Sequence, residues 1–229
     1  MLNFRIEKRY LERNKNIIVG MDEAGRGPLA GPVAVGAVLI TPRFFGRIKI
    51  EDEEWRWIDD SKKINASRRV LLYKYLNKNF RVSCGMASAK YIDKYGLGKA
   101  INKAAREAIR RLKIKPDLIL LDGNRCFIFN KTFKQRSVKK GDRRLFSVAC
   151  ASIIAKVARD EFMERIDKKW PQYNFKKHKG YGTKEHFKNI FQHGPCPLHR
   201  LTFAPLKYLG WRKSSFAKKH GSAGEKISN

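Results

Sequence analysis

The sequence predicts an α/β fold, a mixed sheet flanked by helices with a small helical extension at its C-terminal end. Three observations lead there. Strand-like segments come first and then alternate with helix-like ones, the pattern of a layered sheet. Two short apolar runs, IIVGMD and LILLDG, each end in an acid, as buried strands do where they reach an edge. The last sixty residues differ in character, with Gly-Tyr-Gly, Gly-Pro and Ala-Pro punctuation around a single short helical pattern.

Residues 1–16 form a basic lead-in compatible with a short helix. NIIVGMD is the first strand, and EAGRGPLAGP, with three Gly and two Pro in ten residues, must be a loop. VAVGAVLIT is the second strand, joined to the first by a hairpin-like connection. Residues 43–60 are irregular and hold the main acidic cluster, Glu51 to Glu54. ASRRVLLYKYLNKN reads as a helix and FRVSCGMAS as a strand. Leu97, Ile101, Ala104, Ala105, Ala108 and Leu112 recur at three-to-four spacing, which predicts a helix over about 98–113, with Pro116 as its stop. DLILLDG and QRSVKKG are further strands. FSVACASIIAKVARDEFMERIDKKW is a long helix whose first half is apolar on more than one face and is therefore buried. The domain reading is a lead-in at 1–16, a catalytic domain at 17–170, a substrate-binding extension at 171–212 and a tail at 213–229.

Composition narrows the function. With 51 Lys and Arg against 21 Asp and Glu, the net charge is +30, and a domain this basic meets a polyanion, most commonly nucleic acid. Charge alone does not separate a nuclease from a non-catalytic packaging or ribosomal protein. Hydrophobic residues make up 42%, enough for a substantial core, so disorder is excluded as the general state. Cys84, Cys126, Cys150 and Cys196 form no CxxC pair, which argues against a zinc knuckle. The polar N-terminus is no apolar leader and no apolar run reaches membrane-spanning length, so a cytoplasmic protein with reduced thiols and no membrane partner is expected. No extra apolar stripe is left over, and a monomer is expected.

The candidate chemistry begins at the strand ends. Ligands gather at the carboxyl ends of strands in open α/β sheets, so neighbouring strands would bring Asp22 and Asp122 to one edge, with Glu23 beside them. Clustered carboxylates repel, and a hard cation such as magnesium relieves that repulsion. Either strand-end acid alone reads as readily as a turn cap. Asp142 shifts the balance, because residues 131–144 hold seven Lys or Arg and this one acid. Four carboxylates in a basic protein match a two-metal phosphodiesterase site, in which ions about 3.5–4 Å apart activate water and stabilise the leaving oxygen. Gly25-Arg26-Gly27 follows directly. Its glycines permit close backbone approach to a ligand, or serve only a tight turn.

MDEAGRGPLAGPVAVGAVL resembles the N-terminal signature of the ribonuclease HII (type 2 ribonuclease H) family. The likeness continues through DDSKK, LLDGN, GDRRLFSVACASIIAKVARD, HKGYGT and GPCPLHRLTFAPL, six blocks in family order between about residues 17 and 206. The resemblance implies a ribonuclease H-like fold with a helical C-terminal extension. It implies cleavage of RNA in RNA–DNA hybrids and incision 5′ of single ribonucleotides in duplex DNA, leaving 3′-hydroxyl and 5′-phosphate ends. By position, Asp22, Glu23, Asp122 and Asp142 correspond to the family's metal-binding acids, for magnesium or manganese, two ions per site. Gly25, Arg26 and Gly27 correspond to the loop that senses the ribose 2′-hydroxyl, the group that distinguishes RNA from DNA. Tyr181 corresponds to the tyrosine that packs on the following deoxyribose. Ser61, Lys62 and Lys63 are candidate phosphate contacts. Ser152, Lys156, His178 and His199 stay outside the catalytic set. One departure stands out: Arg143 and Arg144 follow the fourth acid where the family commonly has Ser-Lys. The related ribonuclease HIII family usually carries an extra N-terminal domain, for which sixteen residues before the first strand leave no room.

Overall fold

A computed structural model describes residues 5–14, 17–42, 58, 64–123 and 133–210. Ser61, Lys62, Lys63, Cys126 and the acidic cluster at 51–54 lie outside the described residues. At the centre is a five-stranded mixed sheet. In chain order its strands are β1 (Ile18–Ala24), β2 (Val33–Ile40), β3 (Val82–Ala87), β4 (Leu118–Asp122) and β5 (Gln135–Val138), arranged in space as β3-β2-β1-β4-β5. The first three form an antiparallel meander, whereas β4 and β5 add in parallel beside β1.

The helices are α1 (Arg5–Asn14), α2 (Ala66–Asn79), α3 (Ala89–Tyr95), α4 (Leu97–Leu112), α5 (Gly141–Arg144), α6 (Phe146–Asp167), α7 (Phe175–His178) and α8 (Lys184–His193). Strand alternation sorts the sheet's side chains onto two faces. Ile18, Val38, Ile40, Leu118 and Leu120 pack beneath α6, α2 and α1. Val19, Met21, Val33, Val35, Ile119 and Leu121 pack beneath α4. The α4 register matches its sequence period: Ala100, Ile101, Ala104, Ala105, Ala108 and Leu112 are all buried. Asn65 caps α2, Ser88 caps α3 and Thr183 caps α8, each accepting a backbone N–H of the first turn.

Helix α6 is sandwiched closely enough that six consecutive residues, Phe146 to Ala151, are buried. Gly36 on β2 makes this possible, since a Cβ there would lie 2.2 Å from the Ala151 carbonyl oxygen. The N-terminus of α6 has no local side-chain cap. Instead Glu7 reaches in from α1 and accepts both the backbone N–H and the hydroxyl of Ser147, each at 2.8 Å. The basic lead-in is therefore, over Arg5–Asn14, a helix that closes the end of the central one.

A third apolar cluster, including Leu29, Met163, Tyr173, Phe175, Ile190 and Leu206, joins the far end of α6 to the C-terminal segment. This segment folds back onto the β1–β2 loop. Leu29 and Ala30 donate to the Gly180 carbonyl, Gly31 to Leu198, and Arg200 to Leu29. No helix among the described residues is long and apolar enough to cross a membrane.

Candidate active site

Strand β1 continues through Glu23 and Ala24, two residues past the apolar run. Parallel pairing of Met21 with Leu121 sets Asp22 alongside Asp122 at the carboxyl edge of the sheet. Both follow alternation onto the α6 face, where Ser152 hydrogen-bonds to Asp22. Asp142 comes from α5, whose first residue, Gly141, donates its N–H to Asp122 Oδ1 at 2.6 Å. That bond fixes the short helix to the end of β4, and Asp142 is itself buried. The four acids thus come from three elements along one edge of the sheet.

Electrostatically this edge is unfavourable on its own. Asp22 is 8% exposed, and its pKa is raised to about 8, first by burial and then by repulsion from Glu23 and Asp122. The donor set is all oxygen, as a hard divalent cation requires, and an added positive charge would offset the repulsion. The side chains are nonetheless spread apart. Among the described residues no three His, Cys, Asp or Glu side chains are gathered closely enough to hold a metal ion. The acids are engaged by protein groups instead. Glu23 pairs with Arg26 at 2.7 Å, Asp22 Oδ1 accepts the Glu23 N–H at 2.8 Å, and Asp122 holds Gly141. In residue chemistry the set suits a divalent cation, and Arg26 engages only Oε1 of Glu23.

The Gly25-Arg26-Gly27 loop is held from behind by two arginines that sequence reading does not single out. Arg200, fully buried, donates to the carbonyls of Gly25 (2.7 Å), Arg26 (3.0 Å) and Gly31 (3.0 Å). Arg159, 1% exposed, donates to Pro32 (2.9 Å) and Ala30 (3.1 Å). Burial lowers both guanidinium pKa values, that of Arg200 to about 9 with Arg159 adding repulsion. Gly25 has φ +87°, and a Cβ there would meet Arg159 Nε at 2.1 Å, so both conformation and space demand glycine. At Gly27 a Cβ would meet no protein atom within 4 Å, so only ligand approach could restrict that position.

Tyr181 is 45% exposed and lies over the Arg159 guanidinium at 5.9 Å. Arg159 is thus in contact with the glycine loop and with this tyrosine at once. Behind Tyr181 runs a chain of imidazoles. His186 Nδ1–H donates to the Tyr181 carbonyl at 2.8 Å, so its Nε2 accepts from His199 Nε2–H at 3.1 Å. His199 Nδ1 in turn accepts the Cys196 N–H at 2.8 Å. Burial, then repulsion from a neighbouring imidazole (His178 for His186, His186 for His199), lowers His186 to about 4 and His199 to about 3. His178 is buried between the Tyr173 carbonyl and the Gly180 N–H. Lys156 pairs with Asp160 at 2.7 Å, and Arg143 and Arg144 are exposed. Asp93 on α3 anchors the C-terminal segment by accepting from the Leu201 and Thr202 N–H groups.

Residues 19–206 match the family model described as Ribonuclease HII. The chain is 44% identical over 201 residues to a ribonuclease HII of Caldicellulosiruptor bescii, covering 87% of this chain and 92% of that one. Among solved structures it resembles ribonuclease H2 from Pyrococcus horikoshii OT3 (TM-score 0.67, 24% identity, 84% of this chain and 96% of that one). It also resembles Bst-RNase HIII in complex with Mn2+ (TM-score 0.62, 16% identity, 84% and 68%).

Proposed function

The chain belongs to the ribonuclease HII family and is a ribonuclease H, a nuclease acting on the RNA of RNA–DNA hybrids; from that premise we propose that it also incises duplex DNA on the 5′ side of a single embedded ribonucleotide, leaving 3′-hydroxyl and 5′-phosphate ends. The observation that carries this reading is the Arg159–Arg200 clamp. It ties the Gly25-Arg26-Gly27 loop, three residues from Asp22, to Tyr181 in the C-terminal segment. A ribose detector, a deoxyribose detector and the acids then belong to one rigid assembly, and a ribose-to-deoxyribose junction can be recognised within a single register.

The roles follow from the chemistry of each group. Asp22, Glu23, Asp122 and Asp142 would hold magnesium or manganese, as two ions. When bound, these supply charge neutralisation at the scissile phosphate and a water acidic enough to attack at neutral pH. Gly27 leaves the backbone open to the 2′-hydroxyl, and Arg26 is placed to move from Glu23 to a phosphate when the acids converge. The exposed ring of Tyr181 offers an apolar face to a sugar that lacks the 2′ oxygen. Ser61, Lys62 and Lys63 would grip flanking phosphates, and residues 171–212 would serve as the substrate-binding extension.

The test is cleavage of three labelled duplexes: a hybrid, DNA with one ribonucleotide, and all-DNA, each with Mg2+, Mn2+ or chelator. The first two should be cut only with metal, and the third not at all. Asp22→Asn should reduce cleavage on the order of a thousandfold or more while hybrid binding in chelator stays within a few-fold, since without metal the grip comes from the basic surface. Failure on the single-ribonucleotide duplex with full hybrid cleavage would instead indicate ribonuclease HIII-like specificity. Full activity of Asp22→Asn would refute the ligand assignment.

A further inference from the structure

We propose that the exposed face of α4 is a second nucleic-acid surface, which binds a single-stranded extension of the substrate away from the acids. Lys99, Lys103, Arg106 and Arg110 lie along α4 at intervals of four, three and four residues, and all four are exposed. At 1.5 Å per residue they form one stripe about 16 Å long, enough to meet several consecutive phosphates. None of the ion pairs among the described residues engages any of the four. The one acid of α4 itself, Glu107, pairs with Arg111.

The stripe is more than a solvated basic face, because it lines two contiguous hollows with aromatic walls. Lys103, Arg106 and Arg110 share one hollow with the half-buried ring of Phe133. Lys99, Lys103 and Arg106 share the other with Tyr91, whose ring Lys103 Nζ covers at 4.6 Å. Cations along a groove with aromatic rings in its walls are how single strands are held without sequence preference: phosphates meet the cations and unpaired bases stack. A duplex keeps its bases stacked internally and has no use for the rings.

The direction of α4 fits the same partner. The Ser83 hydroxyl bonds to the Ala108 carbonyl, and Gly85 lies against Ala104, so α4 runs antiparallel to β3. Because β3 and β1 both pair antiparallel to β2, they point the same way. The N-terminal end of α4 therefore lies toward the carboxyl edge where the acids gather. From there the stripe leads away over the sheet face opposite α6. A strand leaving a duplex at the acid edge would run onto it.

This surface is independent of the catalytic reading, and the test uses binding in chelator with the full chain. The probes are a labelled mixed-sequence single strand, a blunt hybrid and the same hybrid with a single-stranded tail. Arg106→Glu/Arg110→Glu should weaken the single strand and the tailed hybrid about tenfold and lower the single-strand salt slope by about 1.4, at about 0.7 per phosphate lost. The blunt hybrid should be unchanged. Lys74→Glu/Lys78→Glu, two exposed lysines on α2, matches the charge change on the opposite sheet face and should leave all three probes unaffected. Phe133→Leu, which keeps an apolar side chain, should weaken the single strand about fivefold without changing its salt slope. Arg106→Gln/Arg110→Gln repeats the test with a milder change. Equal losses on blunt and tailed hybrids, or equal losses in the α2 variant, would overturn the proposal. So would displacement of the strand by polyaspartate as efficient as by unlabelled oligonucleotide, which would point to an acidic protein partner.

Discussion

Arg200 carries its charge among carbonyl oxygens, with no carboxylate in its hydrogen-bond set. The guanidinium is suited to this because its donors are fixed in a plane and reach three acceptors at once, which an ammonium cannot do. Arg200→Met would leave three buried or half-buried carbonyls without their donor, at about 1–3 kcal/mol for each fully buried group. The expected outcome is a loss of about 3 kcal/mol in urea unfolding and a drop in kcat of at least about tenfold. Arg200→Lys should fall between, since it keeps charge but not the fork. The acids were legible in the sequence because an apolar run that closes on Asp must bring a charge to the edge of the sheet. Arg159 and Arg200 were not, because in a chain with 51 basic residues nothing local separates a buried arginine from a solvated one. Asp142 was legible as the lone acid in a basic stretch. That it stands on a helical turn pinned to Asp122 was not, since four residues are too few to show a period.

Two elements depend on buried ionisable groups, and their pH dependences oppose each other. Glu7 joins α1 to the start of α6. Burial raises its pKa from 4.5 to about 6, and its Oε2 has no hydrogen-bond partner. Between those values the folded state binds more protons than the unfolded one, so this group's contribution falls as pH rises from about 4.5 to 6. Glu7→Gln keeps the acceptor for Ser147 and removes the buried charge. It should match or exceed the parent in stability at about pH 7, whereas Glu7→Ala should lose about 1–3 kcal/mol through the orphaned Ser147 donors. The His199–His186 chain behind Tyr181 has the other sign. Its folded pKa values, about 3 and about 4, lie below the ordinary 6.5, so the unfolded state binds more protons as pH falls. Stability from these residues is complete above about 6.5 and is lost progressively toward about 4 and below. The clean measurement is chemical unfolding of Glu7→Gln/Asp22→Asn, which removes both carboxyl groups whose pKa burial raises, across about pH 4 to 7.5, where a rising midpoint is expected. A flat profile would disprove the neutral tautomers. The sequence was compatible with a short helix at α1 without requiring one. Its capping role was not legible, because Glu7 and Ser147 are 140 residues apart.

For the whole molecule, the central fact is a negative edge set in a strongly positive body. A nucleic acid drawn in by that field must place its scissile phosphate beside four carboxylates. Two effects therefore compete, and a divalent cation changes which one wins. Without metal, each acid that is ionised repels the phosphate, with about 1 kcal/mol per pair at about 4 Å in a water-like dielectric as the scale, and Asp22, with its pKa raised to about 8, contributes least. With metal, the same carboxylates are the means by which the phosphate is held. Asp122→Asn and Asp142→Asn should therefore change hybrid affinity in opposite directions under the two conditions. In chelator each should bind about fivefold more tightly than the parent; in Ca2+, chosen as an oxygen-seeking ion for a binding assay, each should bind more weakly. Raising salt should shrink the chelator effect, because that term is exposed Coulomb repulsion. A non-catalytic basic protein would show the first effect without the reversal. Fluorescence anisotropy with one labelled hybrid, titrated under both conditions, measures the two signs directly, and tightening under both would refute the acids as cation ligands.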